Sequence, residues 1–133
     1  MTLKNTDKKN VQITMKTLQE DEATEHSYKG TYQIKNDIKY LMYNDGFEQC
    51  SVICDNSTVR LRRFGSGSVM TFEKNAEHIS SYMTPMGNLP LSVVTDVIED
   101  KLEQNGTLLL EYSISIGETQ PVKNKINITI KEI

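Results

Sequence analysis

Thirty-three β-branched side chains (13 threonines, 12 isoleucines and 8 valines) stand against only two alanines, Ala23 and Ala76, in a chain of 133 residues. A second heavy atom on Cβ restricts χ1 in a helix but packs well on a pleated surface. The ratio therefore argues against a helical bundle and for an all-β fold. The local pattern agrees. Val11, Ile13 and Met15 alternate with Gln12, Thr14 and Lys16, and Ile126, Ile128 and Ile130 alternate with Asn127, Thr129 and Lys131. A period of two places each apolar set on one face of a strand.

Turn residues divide the rest into short strands: Asn36-Asp37, Asn44-Asp45-Gly46, Asp55-Asn56, Gly65-Ser66-Gly67, Lys74-Asn75 and Asn105-Gly106. Between them lie predicted strands over residues 38–43, 47–54, 58–64, 69–73, 77–83 and 107–116. The acidic stretch from Gln19 to Glu25 reads as a loop. Leu89 to Leu102 reads either as a bent strand or as a strand followed by a short helical piece. Asn105-Gly106 is the strongest signal for a two-residue type I′ hairpin, which needs positive φ at both positions. About ten strands with short turns predict one antiparallel barrel or sandwich over residues 11–133, preceded by a flexible tail over residues 1–10. A chain of this length suffices for one hydrophobic core.

The N-terminal ten residues are polar and charged, unlike a secretory leader or an anchor. No segment approaches the roughly 18 apolar residues of a membrane-spanning helix. Cys50 and Cys54, four residues apart on one predicted strand, are separated by about 13 Å at ~3.3 Å per residue. A disulfide needs Cα atoms within ~7 Å, so the two read as reduced thiols in the cytoplasm. The two histidines, His26 and His78, lack partners at metal-ligand spacing, and no Gly-x-Ser-x-Gly nucleophile elbow occurs. No enzyme, metal site or cofactor is expected.

Several segments resemble a known family. Arg63-Phe64-Gly65 followed by Val69-Met70-Thr71-Phe72 looks like its Arg-x-Gly turn and Met-x-Phe strand. Tyr82-Met83-Thr84-Pro85-Met86-Gly87-Asn88-Leu89-Pro90-Leu91, with Thr95 beyond, looks like its Tyr-x-Thr-Pro-x-Gly-x-Leu-x-Leu…Thr segment. Tyr28-x-Gly30-x-Tyr32 and Tyr40-Leu41-x-Tyr43 are in keeping with it. The family is the YwiB-like group of uncharacterised bacterial proteins. The resemblance covers nearly all of the chain after residue 10 and departs at Met86, where the family pattern leads one to expect an aromatic residue. It implies a single antiparallel calycin-like (lipocalin-like) β-barrel of about eight to ten strands in a cytoplasmic bacterial protein. It implies no activity.

All three arginines, Arg60, Arg62 and Arg63, fall within four residues of one predicted strand. Arg63 shares the phase of Val59 and Leu61, so it points inward near one end of the barrel. An inward guanidinium either plugs that end or holds a ligand carboxylate or phosphate. If Tyr82 points inward, His78, Ser80 and Thr84 do so too; the opposite phase buries Ile79 and Met83. Tyr112 shares the phase of Leu108, Leu110 and Ile114, and reads as interior. Arg63, Tyr82, Tyr112 and His78 are the candidate polar anchors of a ligand, with Tyr32, Tyr40, Met70 and Phe72 as its apolar wall.

Three arginines in a chain of net charge −3, not interleaved with exposed aromatics, argue against a nucleic-acid partner. Gly65-Ser66-Gly67-Ser68 joins two predicted strands and reads as a hairpin, since a phosphate loop needs a following helix. The function expected is binding of a small apolar or anionic-headed ligand inside the barrel, by a monomer or homodimer without membrane contact. The alternative is a filled-core barrel serving as a protein-interaction or scaffold module. The inward phases hold Tyr28, Tyr32, Ile34, Phe47, Leu61, Met70, Phe72 and Leu110, enough bulk to fill a core.

Overall fold

The structure, a computed structural model, describes residues 2–133. Its strands are β1 (Lys9–Gln19), β2 (Glu22–Lys35), β3 (Ile38–Asn44), β4 (Gln49–Asp55), β5 (Thr58–Arg63), β6 (Val69–Glu73), β7 (Glu77–Thr84), β8 (Gly87–Lys101), β9 (Thr107–Ile116) and β10 (Val122–Glu132). A single helical turn, α1 (Leu102–Asn105), joins β8 to β9. All pair antiparallel in one sheet of order β6-β5-β4-β3-β2-β1-β10-β9-β8-β7.

The sheet curls into a nearly closed barrel. Its first and last strands, β6 and β7, come to face each other, and β6 also approaches β8. Their ladder is not continuous. Among the described residues the seam is bridged by the isolated pair Lys74–Thr95 at its lower end. Above that bridge β6 and β7 lie side by side without pairing.

Alternation places the core inside. Val11 and Ile13 of β1, Leu41 and Tyr43 of β3, Val52 of β4, Leu108, Leu110 and Tyr112 of β9 and Ile128 of β10 are all buried. Phe72 of β6 is fully buried, with its ring edge-on to Tyr112 at 4.8 Å between centroids. Cys50 and Cys54 are free and buried on the same inner face of β4. Burial of each large apolar side chain contributes roughly 1.5–3 kcal/mol. Gly30 sits between Val11 and Tyr43 on the neighbouring strands. A Cβ there would run into the Met42 carbonyl oxygen and stand 2.9 Å from Ile13 Cδ1.

Several expectations need correction. The fourth strand begins at Gln49, two residues later than predicted, and Phe47 is 95% exposed in the turn instead of inward. Asp45 is the cause: its Oδ1 accepts the N–H groups of Phe47 and Glu48, each at 2.9 Å, and so prolongs the turn. The predicted acidic loop shrinks to Glu20-Asp21, since Gln19 already pairs with Glu22 and the following acidic residues belong to β2.

Asn105-Gly106 does not form a type I′ turn. The Asp100 carboxylate accepts the Leu102 N–H at 3.1 Å, Leu102 is buried, and the chain makes one helical turn ended by Gly106 at φ 75°. The segment after Leu89 is therefore both a strand and a helical piece. Positive φ at two successive residues occurs instead at Asn36 (54°) and Asp37 (67°), in the two-residue β2–β3 hairpin.

At the N-terminus, Lys9 and Asn10 already pair with Tyr32 and Thr31 of β2. Thr6 donates its N–H to the Ile34 carbonyl at 2.8 Å, and Asn36 donates to Asn5 Oδ1 at 3.0 Å.

Candidate functional site

The unpaired upper part of the seam holds a cleft of about 490 Å³. Its floor is apolar: Met70 of β6, Leu91 of β8, and Ile114 and Ile116 of β9. Its upper rim is polar, with Arg63 at the end of β5, Ser66 and Ser68 in the β5–β6 turn, Asn88 of β8, and Tyr82 of β7 on the facing side. The β5–β6 turn is closed by Arg63 N–H to Ser68 O and by Gly67 N–H to Arg63 O, both at 2.9 Å. Gly67 adopts φ 76°, a conformation that side chains with a Cβ rarely take.

Arg63 is held from below. Its Nη1 donates to Asp45 Oδ2 at 2.5 Å, and the Asp45 side chain is only 9% exposed. Asp45 also accepts the two backbone N–H groups of its own turn, which with Arg63 hold its carboxyl at about 2. The carboxylate is therefore anionic, with three bonds accepted, and it orients the guanidinium without consuming its remaining donors. The Arg63 side chain stays 44% exposed, directed to the cleft. Beneath it the Tyr28 and Tyr43 rings stack at 5.0 Å, and the Tyr43 hydroxyl reaches Met15 Sδ at 3.7 Å. Burial raises the Tyr43 hydroxyl far above the ordinary phenol range.

Of the residues singled out by sequence, the cleft gathers Arg63, Tyr82 and Met70. On β7 the phase of His78, Ser80 and Thr84 is the less exposed one, while Ile79 and Met83 are 66% and 73% exposed. Tyr82 belongs to the same inward phase, yet it is 45% exposed because nothing pairs with its free edge. His78 lies at the narrow end of the seam, 2.9 Å from Glu73 Oε1, away from the cleft. Tyr112 is core, and burial pushes its hydroxyl up to about 12.

Tyr32 points inward near the opposite end of the barrel, where its buried hydroxyl finds no hydrogen-bond partner. Tyr40 is not part of an inner wall. It alternates with Leu41 and Tyr43 and therefore lies on the outer face. The inner phase of β3 instead takes in Lys39, whose Nζ meets Asp100 at 2.8 Å across the interior. Both phases of Ile38-Lys39-Tyr40-Leu41-Met42-Tyr43 contain apolar residues, so periodicity alone leaves the choice open.

In the sequence Asp45 reads only as a turn former, and the floor of Leu91, Ile114 and Ile116 leaves no local signal. The doublet of an inward arginine and an Asn-Asp-Gly turn is the one signal that points to Asp45. Among the described residues no group of three or more His, Cys, Asp or Glu side chains is placed to hold a metal ion, and no helix is long and apolar enough to cross a membrane.

Residues 9–128 match the family described as "Domain of unknown function (DUF1934)", and the chain belongs to that family. Its fold is similar to the crystal structure of ywiB protein from Bacillus subtilis, with 19% sequence identity, 94% of each chain covered and a TM-score of 0.73. The likeness agrees with the YwiB-like motifs and with the single antiparallel barrel they imply. No curated protein matches the chain.

Proposed function

For this member of the DUF1934 family we propose a non-enzymatic binding role in the cytoplasm: the seam cleft takes up a small molecule with an apolar body and an anionic head. One observation carries the reading. A cleft of about 490 Å³ has a pre-oriented guanidinium on its polar rim and a floor of Met70, Leu91, Ile114 and Ile116. Pockets that bind small molecules are mostly apolar with a few fixed polar groups, and this one lies within their usual range of about 300–1,000 Å³. Asp45 uses a single Arg63 donor among the five a guanidinium carries, which leaves a fork for a carboxylate or phosphate. Tyr82, Ser66 and Ser68 add hydroxyls around the head group, and the free edge of β7 lets the cleft widen without breaking a ladder bond. The two buried free thiols support the cytoplasmic setting.

The test is native mass spectrometry of the intact protein purified without denaturation, joined to thermal scans with alkyl carboxylates and alkyl phosphates. A bound anionic organic species, or stabilisation by one of these series, is expected. Arg63→Lys, which keeps a cation beside the nearly buried Asp45 but removes the fork, should weaken it at least tenfold while leaving the unliganded melting temperature nearly unchanged. An unliganded mass together with no stabilisation by either series would refute the reading.

A second reading has one observation of its own. Ile79, Met83 and Met86 are 66%, 73% and 98% exposed on the β7–β8 hairpin, as a protein-interaction module would require. Sedimentation as a strict monomer, with no partner recovered from cells, would count against it.

A further inference from the structure

We propose that the outer face of β2–β5 binds single-stranded nucleic acid. Along the chain the three arginines sit in an acidic sequence without interleaved aromatics, which argues against such a partner. Strand register changes that premise. One outward row across the sheet reads Gln33, Tyr40, Ile53, Arg60, and the next reads Thr31, Met42, Ser51, Arg62. Arg60 and Arg62, which the chain separates from Tyr40 by twenty residues or more, thus share a surface with it. Phe64 continues the same face, 46% exposed, with the Arg62 guanidinium 5.1 Å from its ring centre.

The charge on this face is free. Lys29, Lys35, Arg60 and Arg62 are exposed, and among the described residues none makes an ion pair. The acidic groups that share these outward rows are Glu25 near the β1–β2 tip, and Asp55 and Glu73 along the lower margin. Glu73 is already engaged by His78. The net charge of −3 arises largely elsewhere, at the β1–β2 tip and on β8 and β9 across the barrel. A surface charge acts over about 8 Å at physiological ionic strength, so a small net charge on the far side does not cancel the Arg60–Arg62 pair, and Lys29 and Lys35, spread along β2, offer further contacts to an extended polyanion.

The rings decide between polyanions. An acidic peptide needs only the cations. A single strand also offers bases, which stack on aromatic rings and arginine planes whatever their sequence. Tyr40 and Met42 line a shallow groove of about 260 Å³ together with Lys8 and Lys35, so ring and cation meet in one concavity. Met42 and Ile53, both half-buried, give the face an apolar floor between the rings.

The test is fluorescence anisotropy of labelled 20-residue oligothymidylate and oligouridylate with the intact protein over a range of salt concentrations. Binding is expected at low salt, with a log–log salt slope near about −3 for four neutralised phosphates. Arg60→Ala together with Arg62→Ala should weaken it at least tenfold and flatten the slope by about 1.4, since two contacts are lost. Phe64→Ala should weaken it with the slope unchanged, the mark of stacking. These side chains are exposed, and a circular dichroism melt checks each variant's fold. No binding at low salt would overturn the proposal. So would equal competition by polyglutamate with a silent Phe64→Ala, or equal weakening by Lys123→Ala with Lys125→Ala on β10.

Discussion

Lys39 and Asp100 carry a prediction that reaches into the barrel interior. Their side chains project inward from β3 and β8, meet at 2.8 Å, and retain 16% and 24% exposure. Asp100 also accepts the Leu102 N–H at 3.1 Å, so the pair holds the start of α1 as well as linking two walls. Gross attraction at that separation is about 6 kcal/mol for an effective dielectric near 20, and desolvation of both ions offsets most of it. Removing one partner should cost about 2 kcal/mol, below the ~3–5 kcal/mol of a dry pair because each group still touches water. Lys39→Met leaves Asp100 with a single backbone donor. Asp100→Leu costs more, since it also removes the acceptor for the Leu102 N–H. The double variant replaces two charges by apolar volume and should be more stable than the two single losses added, with a coupling of about 1–1.5 kcal/mol. Urea titrations of the four proteins at neutral pH, with slopes held equal, measure it. A coupling within about 0.3 kcal/mol of zero, or one that 0.5 M salt abolishes, would refute the reasoning and make the pair an ordinary surface contact.

Three further outcomes follow from packing and protonation. Gly30→Ala should lose at least about 2 kcal/mol and lower the melting temperature by roughly 10 °C, because the Met42 carbonyl cannot retreat without breaking its ladder; a near-neutral scan would show that the curvature at Gly30 is soft. Burial pushes Cys54 and Tyr112 each up to about 12, from 9.0 and 10.0. The folded chain therefore keeps protons that the unfolded chain releases, so their contribution is complete below about pH 9 and is lost as pH rises toward 12. Urea midpoints at pH 8 and pH 10.5 should fall accordingly, and Cys54→Ala with Tyr112→Phe should flatten the drop. Both thiols should also resist a disulfide exchange reagent in the native protein and react fully in urea, since burial raises each and hides it; rapid labelling of the native state would contradict their placement.

The strands were legible in sequence because alternation is a local signal. Val11-Ile13-Met15 and Ile126-Ile128-Ile130 carry their own phase, and both ladders form as that phase requires. Turns were less legible where one side chain captured the backbone. Asp45 lengthens its turn by binding two N–H groups, which moves Phe47 from an expected core position to solvent. Asp100 and Leu102 together convert an apparent Asn-Gly hairpin into a helical turn. In each case a carboxylate bonding to nearby backbone outcompetes the generic preference of the turn dipeptide.

The site was legible in part, and the boundary has a physical origin. Arg63 could be placed because inward phase and position at a strand end are properties of one strand. The cleft it serves is a property of closure. A ten-stranded sheet whose strand order runs from β6 to β7 must bring two edges together, and here the edges are unequal: β6 has 5 residues and β7 has 8. The three-residue link between them holds their lower ends together, where Lys74 meets Thr95, while their upper ends are tied to different hairpins, β5–β6 and β7–β8. The strands consequently need not pair over their full length, and the unpaired stretch leaves half-buried Ile114 and Ile116, with buried Leu91 beneath, lining a cleft beside Arg63. No single strand encodes that gap. The same reasoning accounts for the outer face: Arg60 and Tyr40 are twenty residues apart in the chain but two strands apart in one row, and only the register through Ile53 reveals it. Both candidate surfaces thus arise from cross-strand adjacency, one from where pairing fails and one from where it succeeds.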